Sequence, residues 1–165
     1  LIYFDSVLES ISRSSTKAEI AEIREELTAG GYLKAPATKP KKTQVPVLRE
    51  YKSAEGYRII VGKNNRQNDY ITTTLAAKND LWFHTKNIPG SHVVVMCGGK
   101  EVSDETLIYA ATLAAENSGA AAGAQVPVDY TPVKFVKKPN GAKPGMVIYT
   151  TNKTLYVTPN NGGKL

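Results

Sequence analysis

The chain has 165 residues, 41% of them apolar and 22% charged, which fits one ordinary globular domain or a smaller domain with an appendage. No run approaches the ~18 consecutive apolar residues of a membrane span, and the lone cysteine, Cys97, excludes an internal disulfide and a thiolate metal site within one chain. The net charge of +6 is uneven: residues 1–36 carry −2 and residues 37–165 carry +8, so the larger part attracts polyanions without choosing among RNA, DNA and anionic lipid.

The first segment reads as two short helices. Tyr3, Phe4, Val7, Leu8 and Ile11 repeat at helical spacing. Thr16 stands three residues before Glu19, as in a capping box, and Ile20, Ile23 and Leu27 continue one stripe up to a Gly30-Gly31 stop. Neither stripe buries much alone, so the pair must pack on the main domain or on other sequence. The start, LIYFDSVLES, lacks the basic and long apolar regions of a signal peptide. Residues 34–48, with three prolines and lysines at 39, 41 and 42, interrupt both periodicities and read as a basic linker.

The second part begins near Arg49. Strands are expected at 57–61, 81–84 and 92–96, with turn-rich sequence at 62–65 and 88–91 and a short strand or helix approach at 70–74. Ser103 is placed to cap an Ala-rich helix running to about Glu116, with Asp104 and Glu105 in its first turn. Further strands are expected at 133–136, 146–150 and 154–157, the last two joined as a hairpin through Thr151-Asn152-Lys153. The class is therefore α+β: a twisted, mainly antiparallel sheet with a central Ala-rich helix, preceded by a short helical pair.

Four stretches carry candidate chemistry. The segment from Gly62 to Asp69 packs Lys63, Arg66 and four amides, including Asn65 and Asn68, into eight residues. That density of donors suits phosphate and sugar recognition, or else caps the loop's own backbone. It has neither Walker nor GxGxxG spacing. Alternation in 79–84 puts Asp80, Trp82 and His84 on one face. Trp82 there is either a base-stacking surface or core, and Asp80 and His84 are positioned to orient each other. The Pro89-Gly90 turn aims Ser91 and His92. A hydrolase would use Ser91 with His92 or His84 and Asp80, yet no G-x-S-x-G elbow is present. The two histidines lack a metal-site spacing, so no metal is expected. Last, Lys134, Lys137, Lys138 and Lys143 cluster around the turn residues Gly141, Pro144 and Gly145, either as a phosphate-binding loop or as solvated charge.

Together, VGKNNRQND (61–69), NDLWFHTKNIPGSHVVV (79–95), VPVDYTPVKFVKKPNGAKPGMVIYT (126–150) and KTLYVTP (153–159) resemble the NFACT-R RNA-binding domain of the ribosome quality control factors. That family includes bacterial members once named fibronectin-binding protein A. The resemblance covers about 49–160, with 161–165 as a tail, and IAEIREELTAGGYLK (20–34) resembles the end of the family's coiled-coil region, here 1–33. It implies a non-enzymatic, cytoplasmic module without cofactor. Its implied partners are large-subunit rRNA, tRNA and the remaining domains of a longer factor, with no membrane. The implied process is tRNA-dependent alanine tailing of stalled chains on obstructed large ribosomal subunits. The positions it carries over include Gly62, Lys63, Asn65, Asn68 and Asp69, then Asp80, Trp82, His84, Pro89, Gly90, Ser91 and His92, then Lys137, Lys138, Lys143, Pro144 and Gly145. One departure is that no basic residue lies between Lys100 and Lys134, where family members often carry a basic stretch after the central helix. A protein-interaction or surface-adhesion module is the competing class.

Overall fold

A computed structural model describes residues 2–34 and 47–159. Most of the expected linker (35–46) and the tail (161–165) lie outside the described residues. The helical pair forms as α1 (Ile2–Arg13) and α2 (Lys17–Ala29). Thr16 caps α2 by accepting from the Glu19 N–H at 3.1 Å, while the Glu19 carboxylate reaches back one residue beyond the cap, to the Ser15 N–H at 2.8 Å. Of the two stop glycines, only Gly31 takes the left-handed conformation, at φ +81°.

Six strands then make one wholly antiparallel sheet: β1 (Arg49–Lys52), β2 (Arg58–Val61), β3 (Leu81–Thr85), β4 (Val93–Val95), β5 (Val126–Pro132) and β8 (Lys153–Val157), in the order β1-β2-β4-β3-β5-β8. Between β2 and β3 the chain makes α3 (Asn65–Asp69) and a π-helical turn (Tyr70–Leu75), where the sequence leaves strand and helix open. The expected Ala-rich helix is α4 (Asp104–Glu116), capped by Ser103, whose hydroxyl accepts from the Thr106 N–H. Glu55 accepts hydrogen bonds from the Ser103 N–H and hydroxyl and from the Thr106 hydroxyl, which ties the helix start to the β1–β2 turn.

The sheet is buried on both faces, which is why β2 and β4 are continuous apolar runs rather than alternating ones. One face packs Ile59, Val61, Phe83, Val93, Val95 and Val128 against α4. Ala110, Ala111, Ala114 and Ala115 present no bulk there, so the helix sits close to the strands. The other face packs Ile60, Trp82 and Val94 beneath Ile71 of the π-helical turn and Val133.

Two expectations near the C-terminal end are corrected. Residues 133–135 form a 3-10 turn leading into the short β6 (Val136–Lys137), and the long strand lies earlier, at β5. The sequence hides β5 because it contains Pro127 and Pro132, but both sit at or beside its ends, where a missing N–H costs least. The expected hairpin does not form either: β7 (Ile148–Tyr149) pairs with β6, and β8 pairs with β5. Thr151, at φ +56°, turns the chain from one sheet to the other.

Gly62 is required by space. A Cβ there would stand 2.1 Å from Asn68 Oδ1, the atom that accepts the His92 N–H at 3.0 Å. Gly62→Ala is expected to lower stability by about 1–3 kcal/mol, the range for overpacking a tight site, read from the urea midpoint.

Candidate nucleic-acid interface

The amide-rich segment directs its donors inside the molecule. Asn64 caps α3 by accepting from the Gln67 N–H at 2.9 Å, and its own Nδ2 donates to Glu22 at 2.7 Å. Gln67 Nε2 also donates to Glu22, at 2.9 Å. Asn65 Nδ2 donates to Ser6 at 3.0 Å and Glu26 at 3.3 Å, and Arg66 pairs with Glu25. The carboxylates that satisfy this segment are therefore those of α2. Tyr3 donates its hydroxyl to Glu26, joining α1 to the same knot. Burial pushes the Glu26 pKa up, against the opposing hydrogen bonds from Tyr3 and Asn65.

Lys63 is buried as well. Its ammonium donates to Asn117 Oδ1 at 2.9 Å, and burial, with Arg49 and Arg13 near, brings its pKa down to about 8. Ser91 is buried and accepts from Arg13 Nη1 at 2.9 Å. Its neighbour His92 pairs through Nδ1 with the Thr72 hydroxyl at 2.8 Å. Asp80 accepts from the Ala77 and Gly98 N–H groups, each at 2.8 Å, and so shapes two turns rather than orienting His84. The Ser91, His92 and Asp80 side chains thus each have other partners and do not assemble as a nucleophilic triad. Pro89 and Gly90 hold the turn against the end of α4: Gly90 bridges to Ser118, and a Cβ on it would stand 2.7 Å from the Ser118 Cβ.

Trp82 is wholly buried, yet it belongs to an aromatic group that reaches the surface. His84 stacks on it with ring centroids 5.8 Å apart, His92 meets it edge-on at 5.1 Å and Tyr149 tilts against it at 4.9 Å. Tyr149 donates its hydroxyl to Asp129 at 2.5 Å. The sequence gives no signal for Tyr149, which reads as one more apolar strand residue in VIYT. These rings, with residues of α1 and of the β6–β7 loop, enclose a cleft of about 400 Å³. Among the described residues no group of three or more His, Cys, Asp or Glu side chains is placed to hold a metal ion.

The lysines behave differently from the amides. Lys134, Lys137, Lys138 and Lys143 are all exposed. Lys134 lies 5.3 Å from the Phe135 ring centroid, and its backbone N–H donates to the Lys78 carbonyl at 3.0 Å, which brings Lys78 into the same surface. The chain distance between these two lysines conceals that neighbour in the sequence. Asp69 fixes the β6–β7 loop at two points: Oδ1 accepts from the Gly145 N–H at 2.7 Å, and Oδ2 meets Lys138 Nζ at 2.5 Å. Lys143 donates to the Tyr32 hydroxyl and lies over the Tyr3 and Tyr32 rings at 5.1 and 4.8 Å. Gly141 and Gly145, at φ +77° and +78°, make the turns, with Pro144 stiffening the second. The four lysines are exposed, the ammonium groups of Lys138 and Lys143 being tied to Asp69 and Tyr32, on a loop that is held from behind.

A folded scaffold with an ordered cationic loop beside an aromatic cleft has the features of an RNA-binding α+β module. Comparison with known proteins agrees. The chain belongs to the NFACT protein RNA-binding domain family, which it matches over residues 47–151. It is 51% identical over 160 residues to the Rqc2 homolog RqcH of Bacillus subtilis, covering 95% of this chain and 28% of that protein. It is 47% identical over 161 residues to the Rqc2 homolog RqcH of Streptococcus suis, covering 96% of this chain and 28% of that protein. The chain thus spans little more than a quarter of the length of these relatives. A solved structure, the C-terminal part of the fibronectin/fibrinogen-binding protein from Streptococcus suis, superposes with a TM-score of 0.88 at 45% identity, covering 96% of this chain and 63% of that one.

The two histidines give the fold a pH signature. Burial lowers the pKa of His84 to about 4 and that of His92 well below its ordinary value. Above about pH 6.5 both are neutral folded and unfolded, and their contribution to stability is fully present. As pH falls from there toward 4, the unfolded chain takes up protons that the folded one refuses, and stability drops by up to ~1.4 kcal/mol per pH unit for each ring. Urea unfolding at pH 7.5 and pH 5 is expected to show a lower midpoint at pH 5, and His84→Gln is expected to shrink the difference.

Proposed function

We propose that the chain is a non-enzymatic, cytoplasmic RNA-binding module of a ribosome quality control factor. The factor acts on obstructed large ribosomal subunits and supports tRNA-dependent alanine tailing of stalled chains. The observation that carries the RNA-binding part is the ordered loop of Lys137, Lys138 and Lys143, flanked by Lys134 and Lys78, on a domain whose family is described by RNA binding. Support for the quality control setting comes from the family resemblance of the sequence and from relatives named as Rqc2 homologs. Partners in this reading are large-subunit rRNA, tRNA and the remaining domains of the longer factor.

The residues assigned to RNA follow from exposure. Lys134, Lys137, Lys138 and Lys143 contact phosphates, with Arg66 at the margin. Lys63, Asn65, Asn68, Ser91 and His92 act from behind, by fixing the segments that carry the surface. No membrane partner is assigned; among the described residues no helix is long and apolar enough to cross a membrane.

A second reading has its own observation: the solved relative is described as a fibronectin/fibrinogen-binding protein. In that reading the same face contacts an extracellular-matrix protein. Protein binding that persists in excess RNA would favour it.

The test is a titration of the 165-residue chain against tRNA and a large-subunit rRNA fragment at two salt concentrations. Saturable binding that weakens with salt is expected. The Lys137→Ala/Lys138→Ala/Lys143→Ala variant should bind more weakly, with a salt slope shallower by roughly 0.7–0.9 for each phosphate that it no longer neutralises. No binding at low salt would overturn the reading.

A further inference from the structure

The phosphate-facing lysines account for a charged backbone, and they leave the aromatic cleft without a role. Its chemistry is unlike theirs. Among the described residues, no lysine or arginine lines it. Its rim includes Asp5, an exposed carboxylate that repels phosphate. Its wall includes two imidazoles that are neutral at physiological pH, together with Tyr149 and the buried Trp82. The Trp82 indole N–H is buried with no hydrogen-bond acceptor among the described residues, a rare condition for a side-chain donor. The volume, about 400 Å³, lies within the roughly 300–1,000 Å³ of small-molecule clefts. A neutral, planar, partly polar group suits these walls, and a phosphate does not.

We propose that this cleft receives one unpaired nucleobase of the bound RNA. The inference rests on the RNA-binding reading and adds a base-recognition site to it. His84 and Tyr149, the partly exposed rings, offer the stacking surface, and Trp82 backs them. Asp5 can accept from an exocyclic amino group, so adenine, guanine and cytosine are preferred over uracil. The path of the strand is set by the β6–β7 loop. Gly145 and Met146 line the cleft, and the same loop carries Lys138 and Lys143, which hold the flanking phosphates.

Trp82 is the single tryptophan, so its emission reports on this cleft directly. The experiment titrates the 165-residue chain with a short single-stranded oligoadenylate and with an abasic strand of the same length and charge. The expected result is a saturable change in Trp82 emission with the oligoadenylate and none with the abasic strand, which binds roughly 5- to 150-fold more weakly. An oligouridylate should fall between them. His84→Ala should weaken oligoadenylate binding while leaving the abasic strand unchanged. The comparison of strands uses unmodified protein, so it stands even if that variant fails to fold. Equal, salt-sensitive binding of both strands with constant emission would overturn the base site and leave RNA binding intact. Failure of both strands to bind at low salt would overturn the RNA-binding reading itself, and the base site with it.

Discussion

The structure depends on one buried polar junction, where the amides of residues 64–68 meet the carboxylates of α2. Asn64, Asn65 and Gln67 face Glu22 and Glu26, Arg66 pairs with Glu25 at the exposed margin, and Asn68 reaches the other way to the His92 backbone. An apolar contact would be too small to anchor the helical pair, since its own core is little more than Tyr3, Val7 and Ile23. Hydrogen bonds to charged acceptors are stronger than neutral ones, and each unpaired group here would carry a desolvation cost. The junction therefore fixes where α1 and α2 lie. That position in turn supplies one wall of the aromatic cleft and the two tyrosines beneath Lys143.

This arrangement separates two kinds of charge. Glu22, Glu25 and Glu26 of α2 face the amide segment, while the lysines of the β6–β7 loop are exposed. Asp69 crosses between the two sets, and it does so as a mount for the loop.

The broad architecture is legible in the sequence because it rests on local signals. Ser103 before an Ala-rich run, Thr16 before Glu19, and the apolar runs of β2 and β4 each name their own element. What escapes is non-local. The donors of Gly62 to Asp69 look like a ligand site until their partners, some 40 residues earlier on α2, are brought to them. Composition cannot distinguish an amide that awaits a phosphate from one that already holds a glutamate. β5 is obscured by its prolines, and the pairing of β7 with β6 by the turn at Thr151. The lysine loop stands out because cations near Gly and Pro turns need no distant partner to be recognised. Tyr149 and Lys78 do not, since each acquires its role only through a neighbour the fold provides.

The double grip of Asp69 on Gly145 and Lys138 has a consequence for recognition. A free loop of lysines is a brush: it conforms to any polyanion and discriminates little. A loop whose backbone is set during folding is closer to a ruler, with its lysines rooted at fixed points along it. Most of the ordering entropy is then given up before a ligand arrives. Such a surface matches polyanions whose charges repeat at its own spacing and mismatches the rest, so shape selectivity can arise from a site that reads no bases at all.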